Sequence, residues 1–262
     1  MNALVLSPNV ELLFADASAD FNDRVAIAAA AGVRVVEFWG WRDKDVDGLE
    51  RVLRANDVRV TAMVIDPIVS MVCEPQQFVA AIRETAAVGG RLGASTIIVA
   101  SGARDETASA AEQCDRAVAA LRDALPFAEA SGMTLAIEPL NTFDHPMVYI
   151  SRLHHALSVV DSVGSAALGI VVDFYHASRM NELVADTIGD RVGLIRHVQL
   201  AGLPQRDEPS AGGAPYLDTV RAFRNGGYDG PIGLEYRPQM ASAASWVSVR
   251  AFLCEQLEAT AR

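Results

Sequence analysis

Four short segments in the second half of the chain carry residues suited to chemistry at a shared centre. They are Ile137-Glu138-Pro139-Leu140-Asn141, Asp173-Phe174-Tyr175-His176, His197-Val198-Gln199 and Glu235-Tyr236-Arg237-Pro238. Each lies in or ends a short apolar run of the kind that forms a β-strand, whose side chains alternate between two faces. In 134–138, Leu135 and Ile137 take one face, leaving Thr134, Ala136 and Glu138 on the other. The same parity puts Asp173 opposite Ile170 and Val172, and His197 and Gln199 opposite Val198 and Leu200. It also puts Glu235 opposite Leu234 and Tyr236. If the apolar set packs on helices, Glu138, Asp173, Gln199 and Glu235 all face inward, with His197 one layer below Gln199.

Three carboxylates converging on one small space repel one another, so protonation or a cation must offset them. A set of carboxylates and one amide oxygen suits Mg²⁺ or Mn²⁺ better than zinc. A divalent ion so held can polarise a carbonyl beside a hydroxyl, while Glu138 and Glu235 move a proton on either side of the substrate. Each residue alone has a plain structural reading. A strand-ending acid can cap a helix or pair with an arginine, and His197 by itself reads as a packed histidine supporting its neighbours. The four together, on one face of successive strands, favour the metal reading.

The elements that must position these groups alternate regularly. Strands are expected over 3–6, 33–38, 58–64, 96–100, 134–138, 168–173, 197–200 and 232–236. Helices are expected over 20–31, 45–56, 75–92, 107–131, 152–163, 179–190, 215–226 and 241–260. Gly32, Gly132 and Gly164 close helical stretches, and Asp20, Glu74-Pro75 and Ser151 stand at helix starts. Eight strands alternating with eight helices is the (β/α)₈ count, and such a barrel of ~250 residues is an ordinary single-domain size. The 262 residues are therefore expected to form one α/β TIM-barrel domain over 1–262. In that fold the active site gathers at the C-terminal ends of the strands, where these four residues lie.

Composition removes several alternatives. The net charge of −11 disfavours nucleic acid and anionic membranes, which bind by neutralising phosphate. Lys44 is the only lysine and sits in the polar run Arg42-Asp43-Lys44-Asp45, so a Schiff-base aldolase has no nucleophile. Cys73, Cys114 and Cys254 are too scattered for a disulfide framework or a cysteine zinc site. The opening MNALVLSPNV has neither a basic n-region nor a cleavable apolar segment, and no apolar run reaches membrane-spanning length. A cytoplasmic enzyme with a small-molecule substrate is the expectation. The apolar helix ending in 246–257 offers either a homo-oligomer face or a cover for the barrel.

The four segments, in order and at these spacings, resemble the xylose-isomerase-like sugar isomerase/epimerase superfamily, and within it the hydroxypyruvate and 2-oxo-tetronate isomerases. Ser7-Pro8-Asn9, Leu12-Leu13-Phe14 and Val36-Glu37-Phe38 fit the same family. The resemblance implies that Glu138, Asp173, Gln199 and Glu235 bind a metal and that Glu138 and Glu235 are also the catalytic pair. It further implies that Asp144, His176 and Arg206 touch the substrate; His197 is counted with them. Glutamine at 199, where many members have histidine, matches the hydroxypyruvate-isomerase branch. The run 66–73 is shorter and more apolar than that branch's glycine-rich loop, which leaves the exact substrate open.

Isomerisation and epimerisation share one enediolate and are not separable from sequence. A dehydratase of a polyol ketone could use the same scaffold and metal. Trp39 and Trp41 could wall a sugar's apolar face or pack under a loop, and His145 could approach the pocket. Glu37, which could face inward or cap a neighbour, is left outside the expected site.

Overall fold

A computed structural model describes residues 3–258. Eight parallel strands form one sheet: β1 (Leu6–Pro8), β2 (Val35–Phe38), β3 (Arg59–Val64), β4 (Thr96–Ala100), β5 (Thr134–Glu138), β6 (Leu168–Asp173), β7 (Ile195–Leu200) and β8 (Ile232–Leu234). Neighbours run β1-β8-β7-β6-β5-β4-β3-β2. A parallel bridge between Asn9 and Glu37, with the Val10 amide donating to the Glu37 carbonyl at 3.0 Å, joins the two ends into a nearly closed barrel.

The helices described are α1 (Phe21–Ala30), α2 (Val46–Asn56), α3 (Pro75–Leu92), α4 (Ala110–Ala130), α5 (Leu153–Val163), α6 (Phe174–Arg179), α7 (Val184–Ile188), α8 (Leu217–Asn225) and α9 (Ser242–Glu258). Their starts follow local chemistry. Asp20 and Asp45 accept backbone amides of α1 and α2, and Ser109 with Glu112 forms a reciprocal capping box on α4. The fold is the TIM barrel expected from the alternating pattern.

Inward and outward faces separate as strand parity requires. Leu135, Ile137, Ile170, Val172, Val198 and Leu234 join the large apolar layer between barrel and helices. Ala62, Ile98, Ala136 and Val171, from β3 to β6, form a separate small cluster inside the barrel. Polar pairs share the interior: Ser7 with Thr61 at 2.6 Å, and Thr96 with Thr134 at 3.4 Å.

Strand bounds shift by up to two residues, with β8 ending at Leu234 rather than 236 so that Glu235 lies just past it, and two elements differ more from expectation. The first strand lies at Leu6–Pro8 rather than over 3–6. Asn9 donates to Leu234 of the β8 segment and Val10 to Glu37. Pro8 therefore turns its N–H-less side toward β2, where ladder pairing has not yet begun, and its missing donor costs nothing. The helix expected over 179–190 is two short helices, α6 and α7. Asp173 starts the first at the very end of β6, because its Oδ1 accepts the amides of Tyr175 (2.6 Å) and His176 (3.2 Å).

Helix α9 lays Trp246, Val249, Leu253 and Leu257 on the core, and Trp246 Nε1 donates to the Ala31 carbonyl at 3.2 Å. That face covers the barrel. Among the described residues no helix is long and apolar enough to cross a membrane.

Candidate active site

The C-terminal mouth of the barrel gathers charged groups that are almost wholly withdrawn from solvent. Glu138, Asp173, Gln199 and Glu235 are buried, as are Glu37, Asn141, His176 and His197. Glu138 ends β5, Asp173 ends β6, Gln199 lies on β7 in register with Asp173, and Glu235 follows β8. The order around the rim is that of the chain, with Glu138 and Glu235 three strands apart.

Glu138, Asp173 and His176 offer ligand atoms all within 4.8 Å of one another, so this group could hold a metal ion. His176 Nε2 is 3.8 Å from Glu138 Oε1 and 3.9 Å from Asp173 Oδ2. Its other nitrogen decides its role. Nδ1 accepts the Asn141 backbone amide at 3.0 Å and faces the Asn141 side-chain amide at 2.8 Å. An accepting Nδ1 leaves the ring proton on Nε2. Burial pushes the His176 pKa down to about 4, so the ring is neutral at pH 7. His176 thus aims an N–H, not a lone pair, at the two carboxylates.

Glu235 has different company. Its Oε1 accepts Trp39 Nε1 at 2.8 Å and lies 3.1 Å from Arg206 Nη2, which also stands 4.0 Å from Asp173 Oδ2. Arg206 lies in the loop after β7 with a left-handed φ of 60°, a backbone state costly for a residue with a Cβ. Its guanidinium stacks 4.6 Å from the Tyr175 ring. Burial works against the Arg206 charge, but Glu235, Asp173 and Glu138 more than offset it and raise its pKa.

One arginine does not neutralise the cluster. Burial, then the charges of Glu235 and Asp173, hold the Glu138 pKa well above the ordinary carboxylate range. Burial pushes Glu235 up to about 7 even though Arg206 pulls it down. Two neighbouring carboxyl groups are thus both held above the ordinary carboxylate range, the kind of perturbation that acid–base sites use.

Gln199 supplies an independent sign of a missing partner. Its Nε2 donates to Glu37 Oε1 at 3.0 Å, and its Oε1 is buried without a hydrogen bond. Orphaned buried carbonyl oxygens are uncommon and costly. Gln199 pairs in register with Asp173, and an amide oxygen beside carboxylates is a donor set that suits a hard divalent cation. The residues present fit such an ion.

The remaining expected residues fall as follows. Asp144 accepts Asn141 Nδ2 at 2.8 Å and the Tyr175 hydroxyl at 2.9 Å, so it braces the His176 side of the mouth. Its pKa is lowered, chiefly by Asn141. His197 is wholly buried, with Nε2 2.6 Å from Glu37 Oε2; it sits under Gln199 rather than on the substrate side. His145 packs 5.9 Å from the His176 ring. Trp41 turns away to Thr85, whereas Trp39, 40% exposed, stands at the opening. Ile68, Phe143 and Met240, on the loops after β3, β5 and β8, are exposed as well.

Glu37 and Asn141 were not among the expected site residues, and Trp39 was weighed as a wall for the substrate, not as a partner of Glu235. Parity beside Val36 and Phe38 left Glu37 either inward or capping a neighbour, and the structure buries it inside the barrel. Trp39 meets Glu235 across 196 positions of sequence, a contact no local pattern reveals.

Comparison with known proteins places this geometry. Residues 25–256 match the model of the xylose isomerase-like TIM barrel. The chain belongs to that family. Hydroxypyruvate isomerase of Escherichia coli is 30% identical over 254 residues, covering 92% of this chain and 96% of the relative. The 2-oxo-tetronate isomerase of Cupriavidus necator is 30% identical over 233 residues, covering 86% and 90%. Among solved structures, an L-ribulose 3-epimerase superposes with a TM-score of 0.80 at 19% identity, covering 98% of this chain and 95% of the other. A family 2 AP endonuclease from Brucella melitensis superposes with a TM-score of 0.87 at 24% identity, covering 95% and 99%. At those identities the structural likenesses speak to the fold alone. The named full-length relatives are isomerases, in accord with the enzyme class expected from the four segments.

Proposed function

We propose that the protein is a metal-dependent isomerase or epimerase of a small hydroxy-carbonyl compound, with Glu138 and Glu235 as the proton-transfer pair. One observation carries the reading. Two buried carboxyl groups with raised pKa values stand at the end of β5 and just past β8, and the residues between them include an amide oxygen with no hydrogen-bond partner.

Glu138, Asp173, Gln199 and Glu235 would hold the ion, and their oxygen donors favour Mg²⁺ or Mn²⁺. Bound there, a divalent ion would polarise the substrate carbonyl and offset the negative charge left when the neighbouring C–H proton departs. One glutamate, ionised, takes that proton from the substrate carbon. The other, protonated, returns one to the adjacent carbon, or to the opposite face of the same carbon for epimerisation. His176 Nε2–H donates to a substrate oxygen, and its orientation is kept by Asn141 and Asp144. Arg206, released from Glu235 when the ion binds, meets the substrate's polar end. Trp39 keeps Glu235 in place by its N–H and closes one side of the pocket with its ring.

The substrate class follows from the relatives' names, hydroxypyruvate and 2-oxo-tetronate isomerases: short 2-oxo acids or keto sugars with a hydroxyl beside the carbonyl. The loop over 66–73 turns Ile68 outward and buries Val69, Met71 and Val72. The dehydratase alternative would use the same base and then expel a β-hydroxyl, so product mass separates the two.

The test is a screen of three- to six-carbon keto sugars and hydroxy-keto acids with Mg²⁺ or Mn²⁺ in D₂O, followed by NMR. Deuterium entering the carbon next to the carbonyl with mass otherwise conserved supports the proposal. Loss of water marks a lyase. No exchange with any member of the panel overturns proton transfer as the chemistry.

A further inference from the structure

Beneath the mouth lies a buried group of side chains that the proton-transfer scheme does not use. Glu37 leaves β2 and crosses the barrel interior to β7. There its two oxygens accept from different residues: Oε1 from Gln199 Nε2 at 3.0 Å, and Oε2 from His197 Nε2 at 2.6 Å. Glu37 and His197 are 1% and 0% exposed, so neither can touch a substrate or exchange partners with water. The path crosses Gly233, which pairs in register with Gln199. A Cβ on Gly233 would fall 2.7 Å from His197 Nε2, 2.8 Å from Glu37 Oε1 and closer still to Glu37 Oε2. The missing side chain at 233 is the space through which Glu37 reaches its partners.

From this geometry we infer that Glu37 is a positioning residue that fixes the amide of Gln199 with its oxygen toward the carboxylate cluster. A primary amide has a donor arm and an acceptor arm, and nothing in its shape sets which way it points. An ionised carboxylate can only accept. With Nε2 donating to Glu37 at 3.0 Å, the NH₂ arm faces the carboxylate and the oxygen takes the other side of the amide, where it is buried with no hydrogen-bond partner. His197 holds the second Glu37 oxygen and so fixes the carboxylate in turn. Partners of this kind orient metal ligands and strengthen their donation. A neutral glutamine ligand depends on it more than a carboxylate would, because a flipped amide presents N–H groups to a cation. The inference rests on the metal reading proposed above.

The experiment measures Mn²⁺ binding by calorimetry, and by the EPR signal of free Mn²⁺, without substrate. Wild type is compared with Glu37→Gln and with the exchanged pair Glu37→Gln/Gln199→Glu. In the single variant two amides face each other and either arm of Gln199 can point inward. Its Kd is expected to rise about 10- to 100-fold, the range for lost outer partners of metal ligands. In the double variant the amide at 37 donates to the carboxylate at 199, one oxygen of which again faces the cluster. Its Kd is expected within about threefold of wild type.

Wild-type Mn²⁺ affinity in the single variant overturns the inference. So does a single variant that loses affinity without recovery in the double, since a merely structural role would not be rescued by exchange. If the single variant does not fold, the double carries the test, and a double that fails to fold or to bind refutes it. Failure of wild type itself to bind Mn²⁺ is the separate result that ends the metal reading.

Discussion

Replacing Glu235 by glutamine should stabilise the metal-free protein while destroying its activity, and the size of the gain follows from the site. Burial raises the Glu235 pKa from an ordinary 4.5 to about 7. Between those values the folded protein keeps a proton that the unfolded chain has lost. The stability contributed by the protonated carboxyl is fully present below pH 4.5 and is lost as pH rises to 7. Over roughly 2.5 units, at about 1.4 kcal/mol per unit, that is ~3 kcal/mol, constant above pH 7. Glutamine imitates the protonated form and can still accept from Trp39 Nε1 and Arg206 through its oxygen. At pH 8 and without metal, Glu235→Gln is therefore expected to be ~3 kcal/mol more stable, about 5–10 °C in Tm for a chain of this size. The difference should shrink toward zero as pH falls to 4.5. Thermal melts of EDTA-treated wild type and variant across pH 4.5–8 make the measurement. A variant no more stable at pH 8, or a gap that persists at pH 4.5, would show that Glu235 is not held against its ionisation. It would also remove the reason for a cation at the mouth.

Other expectations use the same groups. Mn²⁺ binding should tighten as pH rises toward 7 and release protons, because raised carboxyl pKa values mean the ion competes with protons; calorimetry in two buffers of different ionisation enthalpy reads the count, and a count of zero at pH 6 contradicts it. Glu138→Gln and Glu235→Gln should each lower kcat by about 10²- to 10⁴-fold with circular dichroism unchanged, and wild-type rates in both would remove the two-glutamate scheme. Trp39→Phe keeps the ring but removes the N–H that helps lower the Glu235 pKa; the pH–rate limb assigned to Glu235 should move upward, and an unmoved limb would detach Trp39 from that group.

Strand parity carried most of what could be read without coordinates. The inward positions of Glu138, Asp173, Gln199 and Glu235 follow from which neighbours are apolar, and β4, β5 and β6 occur at the residues expected for them. Parity failed to place β1, because the tolerance of Pro8 depends on which neighbouring strand its missing N–H would have faced. It also could not show that Asp173 serves two masters, capping α6 with Oδ1 while Oδ2 faces the cluster. Glu37 was readable as inward or as a cap, but not as a partner of this site, since its contacts lie 160 and 162 residues away. The same holds for the Arg206–Glu235 pair. Resemblance suggested Arg206, yet its contact depends on a loop whose left-handed turn at 206 has no signal in residue type. Local chemistry writes the rim; long-range pairing decides which rim residues are free to act.

The central claim is that a divalent ion is gathered by side chains from β5 to β8. Crystals grown with Mn²⁺, measured at its absorption edge, test it directly by anomalous difference density. The expected result is one strong peak at the barrel mouth within about 2.0–2.4 Å of oxygens from Glu138, Asp173, Gln199 and Glu235. Glu235 would exchange its contact with Arg206 for the ion. No peak there, with Glu235 still paired to Arg206 and the Gln199 oxygen turned elsewhere, would contradict the account.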